Sequence, residues 1–178
     1  MTSRADQHDI DKLGRWRRDL TETGGNSFPF YAVFLVSEVD RTAHDIFRAF
    51  RSSFEQRDAG FGNLVIFGQH GVSSTVRMLL SRLDLPPDSI PLLLLLPAAA
   101  GPSLSMLPLY MLPLPGGGAS GTASDRLPAP PLKLLGRVEG FADRTNDAFD
   151  VSGVTGLTRV PLPAPDLVTL VNQLIGDQ

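Results

Sequence analysis

The chain has 178 residues, enough for one hydrophobic core with extensions, and its 42% apolar and 20% charged residues are those of a folded globular protein. A formal net charge of −3 speaks against a general nucleic-acid binder, whose footprint is strongly basic, so no nucleic-acid partner is expected. Cysteine is absent, which excludes disulfides, thiolate nucleophiles, dithiol redox chemistry and the usual structural zinc sites; His8, His44 and His70 match no metal-ligand spacing, so neither a metal nor a cofactor is expected.

The start, MTSRADQHDIDK, is polar and mixed in charge, without the apolar run of a secretory signal, and the expectation is a cytoplasmic protein. Residues 4–22 read as an amphipathic helix, with Ile10, Leu13, Arg17 and Leu20 near one face. Within it, RWRR (15–18) interleaves an aromatic with positive charge, and the reading is a charged helix face anchored by Trp16. The paired glycines of TGGNS end it, so residues 1–27 form a helical extension to a single domain at 28–176.

FYAVFLV (30–36) is a continuous apolar run suited to a strand buried on both faces. In RTAHDIFRAFRSSFEQR, Ala43, Ile46, Phe47, Phe50 and Phe54 recur at helical spacing while Arg48, Arg51 and Glu55 face water. NLVIF is a second buried strand, and Val72, Val76, Leu79, Leu80 and Leu83 give the next helix its apolar stripe, with one of Ser73 to Thr75 as its cap. IPLLLLL is a third strand, too short in its apolar core to span a bilayer as a helix. Strand, helix, strand, helix, strand makes a βαβαβ unit, whose right-handed crossovers would set the three strands parallel.

Residues 89–124 carry no charge, and prolines interrupt the apolar SLSMLPLYMLPLP every few residues. Those prolines argue against a membrane span, where a broken helix would leave backbone groups unsatisfied in lipid. The section at about 98–131 is therefore a Pro/Gly-rich insertion: an extended or edge-strand arm over the domain, with Leu104, Met106, Leu107, Leu109, Tyr110, Met111 and Leu112 available for packing or for docking a partner. GGGASGTAS continues it as a linker. LLGRVEGF or GLTRVPL would add an edge strand, and LVTLVNQLI (167–175) closes the chain as an amphipathic helix.

Between the second strand and its helix stands GQHGVSST, which has the order of parts of a phosphate cradle. It lacks the lysine and spacing of a P-loop and the third glycine of a dinucleotide fingerprint. The plain reading is a glycine-eased turn with a hydroxyl cap; the backbone amides at the helix start would also suit an anion. His70, at the carboxyl end of a strand, would serve as a general base only with a partner such as Asp40, His44 or Asp45 in hydrogen-bond reach.

DSIPLLLLL resembles the strand of the thioredoxin-like superfamily that begins with a cis-proline. The resemblance covers residues 28–97 and 132–176 and implies a thioredoxin-like α/β core with a C-terminal helix, in which Pro91 is the structural cis-proline. It also implies that VDRTAH (39–44) lies where the family carries its Cys-x-x-Cys. Asp40, Arg41, Thr42 and Ala43 occupy that turn here, so the scaffold is expected to be redox-inactive. The functional expectation is a non-catalytic module that binds another protein, as a regulatory or assembly factor. The alternative is an enzyme or small-ligand sensor using the loops around Asp40, Arg41, Thr42, His44 and His70.

Overall fold

The computed structural model describes residues 3–22, 28–97, 108–116, 127–144, 149–161 and 167–176. A helix, α1 (Arg4–Glu22), precedes strand β1 (Phe30–Leu35), helix α2 (Arg41–Glu55), strand β2 (Leu64–Phe67) and helix α3 (Ser74–Arg82). Strands β3 (Leu92–Pro97) and β4 (Pro108–Pro113), helix α4 (Ala129–Ala142), strand β5 (Thr158–Pro161) and helix α5 (Leu167–Gly176) complete it.

The strands form one mixed sheet in the order β2-β1-β3-β4-β5. β1 and β2 are parallel, as expected, but β3 runs antiparallel to β1, with Leu35 opposite Leu92 and Phe30 opposite Pro97. The all-parallel βαβαβ arrangement is thus corrected. An apolar run buried on both faces carries no sign of its direction; the connection decides it. α3 has nine residues and rises only about 13 Å. The nine residues from Leu83 to Pro91 can reach back over as much as about 30 Å, and they return the chain to the end of the sheet from which α3 set out.

Leu109, Tyr110, Met111 and Leu112 lie in β4, hydrogen-bonded to β3 on one side and β5 on the other, so this part of the arm is an inner strand instead of an edge. Leu104, Met106 and Leu107 lie outside the described residues. Pro108 and Pro113 stand at the two ends of β4, where a missing N–H harms the ladder least. LLGRVEGF is not a strand: it lies within α4, where Leu134, Leu135 and Val138 are buried at helical spacing. GLTRVPL supplies the edge strand, as β5.

Side chains alternate across the sheet with period two. Phe30, Phe34, Leu93, Leu95, Tyr110 and Leu112 face one layer, with the buried residues of α2 and α4. Val33, Leu35, Val65, Phe67, Leu92, Leu94 and Leu109 face the other, with Leu13 and Trp16 of α1, Val76, Leu79 and Leu80 of α3 and Val171 of α5. Each of these buried large side chains contributes about 1.5 to 3 kcal/mol relative to exposure. Among the described residues no helix is long and apolar enough to cross a membrane.

Candidate functional site

The carboxyl ends of the parallel pair β1 and β2 lie side by side, with the Val36 amide donating to the Phe67 carbonyl at 3.0 Å. From these ends leave the two segments in which the sequence places its candidate residues. Gly68 opens the second with φ +88°, and a Cβ there would come within 1.9 Å of the Val36 carbonyl oxygen, so only glycine fits. Gly71, at φ +120°, completes the turn, and Ser73 caps α3 by accepting from the Val76 amide at 3.2 Å.

The anion suited to the start of α3 comes from the chain itself. Asp9 of α1 is buried, and one of its oxygens accepts from the Gly68 amide at 2.8 Å and the Ser73 hydroxyl at 2.6 Å. Asp6, one turn earlier, accepts from the Ser74 amide at 2.6 Å. That backbone bond, helped by Ser3, holds the Asp6 carboxyl down at about 2. Both carboxylates sit where the helix dipole and free amides favour negative charge.

These contacts belong to a longer stripe. Asp9, Lys12, Trp16 and Asp19 recur at three- and four-residue spacing, which puts them on one face of α1. Because Phe67 directs its carbonyl to β1, the alternating Ile66 carbonyl points away from the sheet, and the Lys12 ammonium donates to it and, at 3.0 Å, to Gln69 Oε1. The Trp16 indole donates to the Gly62 carbonyl at 2.9 Å, and the Gly62 amide donates to Asp19 at 3.1 Å. α1 therefore lies along the outer edge of β2 and binds its backbone with side chains. Trp16 is the expected anchor, but Arg17 is exposed; Leu13 and Trp16, with the buried Asp9 and Lys12, form the inner face. Counting apolar residues alone missed this stripe, because two of its buried members carry charge.

His70 is exposed, and its ring stands edge-on to His8 of α1 with centroids 4.3 Å apart. Local desolvation, then the positive charges of His8, Arg4 and Lys12, lower its pKa from 6.5, against an opposing pull from Asp9. The neighbour given to His70 is thus one that sequence reasoning did not name.

In the other segment the structure does bring polar groups together. The buried Asp40 precedes α2 and folds back to accept from the Ser37 amide and hydroxyl, both at 2.7 Å. His44 Nε2 lies 3.1 Å from the Ser37 carbonyl, which can only accept, so that nitrogen carries the proton. The Ser37 hydroxyl proton is directed to Asp40 and not to the imidazole, so the trio braces a turn and is not arranged to activate a nucleophile. Arg41 is exposed, Thr42 is half-buried, and Val39, at the tip, is 60% exposed. The Ile90–Pro91 bond is cis, and by the β1–β3 register Pro91 falls opposite Val36, just before this turn. Among the described residues no group of three or more histidine or carboxylate side chains is arranged to hold a metal.

Comparison with family models, with curated proteins and with solved structures gives no match for this chain.

Proposed function

We propose that the chain is a non-catalytic binding module on a thioredoxin-like core, and that it contacts a partner protein through the turn from Ser37 to Asp40. The observation that carries the reading is Val39: a braced turn presents a large apolar side chain to solvent at 60% exposure. An ordered apolar tip loses little conformational freedom on docking, which favours its use as a contact. The thioredoxin-like part is supported by the position of Pro91, at the head of β3 and opposite the residue that leads into this turn. Binding fits better than catalysis because Asp40 Oδ2 and His44 Nε2 are both engaged by Ser37, whose hydroxyl proton goes to the carboxylate and not to the imidazole.

The test is capture of partners by the tagged full chain, compared with Val39→Asp and with Leu132→Ser, a change at an exposed leucine on α4. A specific partner should be retained by the parent and by Leu132→Ser and lost from Val39→Asp. A partner that Val39→Asp still holds would refute the assignment of the turn. Disulfide-reduction assays should match the uncatalysed background, since the chain has no sulfur nucleophile of the required kind.

A further inference from the structure

The outer edge of β2 borders a cleft of about 450 Å³ that opens between α1 and α2. Its volume is that of a small-molecule site, and it shares no residue with the Ser37–Asp40 turn. Two of its cations, Lys12 and Arg15, come from one face of α1. The Arg15 guanidinium stands over the Phe61 ring, 4.8 Å from its centroid, and has no carboxylate partner among the described residues. The Lys12 ammonium is set into the wall: it donates to the neutral oxygens of Ile66 and Gln69 and pairs with Asp9 Oδ1 at 3.8 Å, so it lends the cleft its positive field while its donors face the protein. The positive charge of Arg15 is felt at Lys12, where it adds to burial in lowering the lysine pKa. Across the cleft the one carboxylate, Glu55, is bonded to Arg51 at 2.8 Å and so compensates that cation and not Arg15. Phe47 and Phe61 are half-buried and give the cleft apolar walls.

We propose that this cleft is a binding site for a small organic anion with a flat apolar body, its acid group held by Arg15 in the positive field of Lys12 and its body lying against Phe47 and Phe61. Cations at one wall and aromatic rings beside them fit a ligand that is charged at one end and apolar at the other. Neither inorganic phosphate nor a neutral aromatic compound satisfies both.

The experiment titrates the full chain with phenyl phosphate by calorimetry, with inorganic phosphate and benzyl alcohol as comparators. Phenyl phosphate should bind one-to-one and at least about tenfold more tightly than either, because each comparator lacks one half of the recognition. Arg15→Gln should weaken it by about ten- to a hundredfold, the range of one charge-assisted hydrogen bond, with the thermal midpoint unchanged because Arg15 is exposed. Arg17→Gln, an equal change of charge at an exposed position of α1, should leave the affinity alone. Absence of saturable binding, equal affinity for benzyl alcohol, an unaffected Arg15→Gln, or an equal loss in Arg17→Gln would each overturn the proposal.

Discussion

Against one face of the sheet lie Phe28, Phe30, Phe34, Phe50, Phe54, Phe141 and Phe149, whose neighbouring rings meet edge-on or tilted with centroids 4.5 to 6.3 Å apart. Against the other lie mostly leucines and valines, and there α1 adds a line of directional bonds from Asp9, Lys12, Trp16 and Asp19 to backbone groups of residues 62–68. Apolar contacts are many and individually weak, so a conservative apolar swap forfeits only some of them. A buried hydrogen bond has two ends, and removing one strands the other. The aromatic layer should therefore tolerate conservative change, and the α1 seam should not.

The largest effect is expected at Asp9. Asp9→Ala leaves the buried Lys12 without its acidic neighbour and strands the Gly68 amide and Ser73 hydroxyl, which should cost about 3 to 5 kcal/mol in urea denaturation. Adding Lys12→Met to Asp9→Ala should recover part of that loss, because the uncompensated charge goes with it. A cost below about 1 kcal/mol for Asp9→Ala would make the seam no more demanding than an ordinary surface pair. Next comes Gly68→Ala, which sets a side chain at positive φ and against the Val36 carbonyl, and it should cost upwards of about 1 to 3 kcal/mol by the same measurement.

On the aromatic side, Phe141→Leu removes a partly buried ring that touches Phe30 and Phe149, and should cost less than about 1.5 kcal/mol. If it costs as much as Asp9→Ala, the contrast between the two faces fails.

The smallest effects are titrations at the seam. The folded state lowers the His70 pKa below 6.5, so it disfavours the protonated ring, and stability should be lost as the pH falls from 6.5 toward the folded value. Arg4, His8 and Lys12 oppose that proton and Asp9 favours it. His70→Gln should remove this step from a plot of thermal midpoint against pH. Asp6 also has a lowered pKa, and the stability it contributes is present above 3.8 and lost as the pH falls to about 2. Asp6→Asn should abolish that lower step and leave the His70 step in place.

Strand and helix identities were readable where one periodicity ran unbroken, as in FYAVFLV, in the Ile46–Phe50–Phe54 face of α2 and in the terminal LVTLVNQLI. The direction of β3 was not, because Leu92 to Leu96 would look the same in either sense. β4 was half-hidden by its terminal prolines, and Gly136 and Gly140 masked α4, where burial of Leu134, Leu135 and Val138 overrides their poor helix propensity. At the candidate site, GQHG was legible as a turn and Ser73 as a cap. Its partners Asp6, Asp9 and His8 lie some sixty residues earlier in the chain, 59 residues apart in the Asp9–Gly68 bond and 68 in the Asp6–Ser74 bond, and such pairings leave no local trace in a sequence.

The side chains that α1 lays along β2 also bear on how the molecule behaves in a crowd of its own copies. LVIF is short, uncharged and rich in β-formers, the kind of segment that recruits another chain when its backbone is open. With Lys12 on the Ile66 carbonyl and Trp16 and Asp19 on Gly62, that template is occupied from within. The opposite border, β5, is four residues long, carries Arg159 and ends in Pro161, three features that discourage strand addition. Protection of the β2 border against strand addition thus rests on a helix remote in sequence, and a chain whose α1 is slow to dock would expose that border on its way to the native fold.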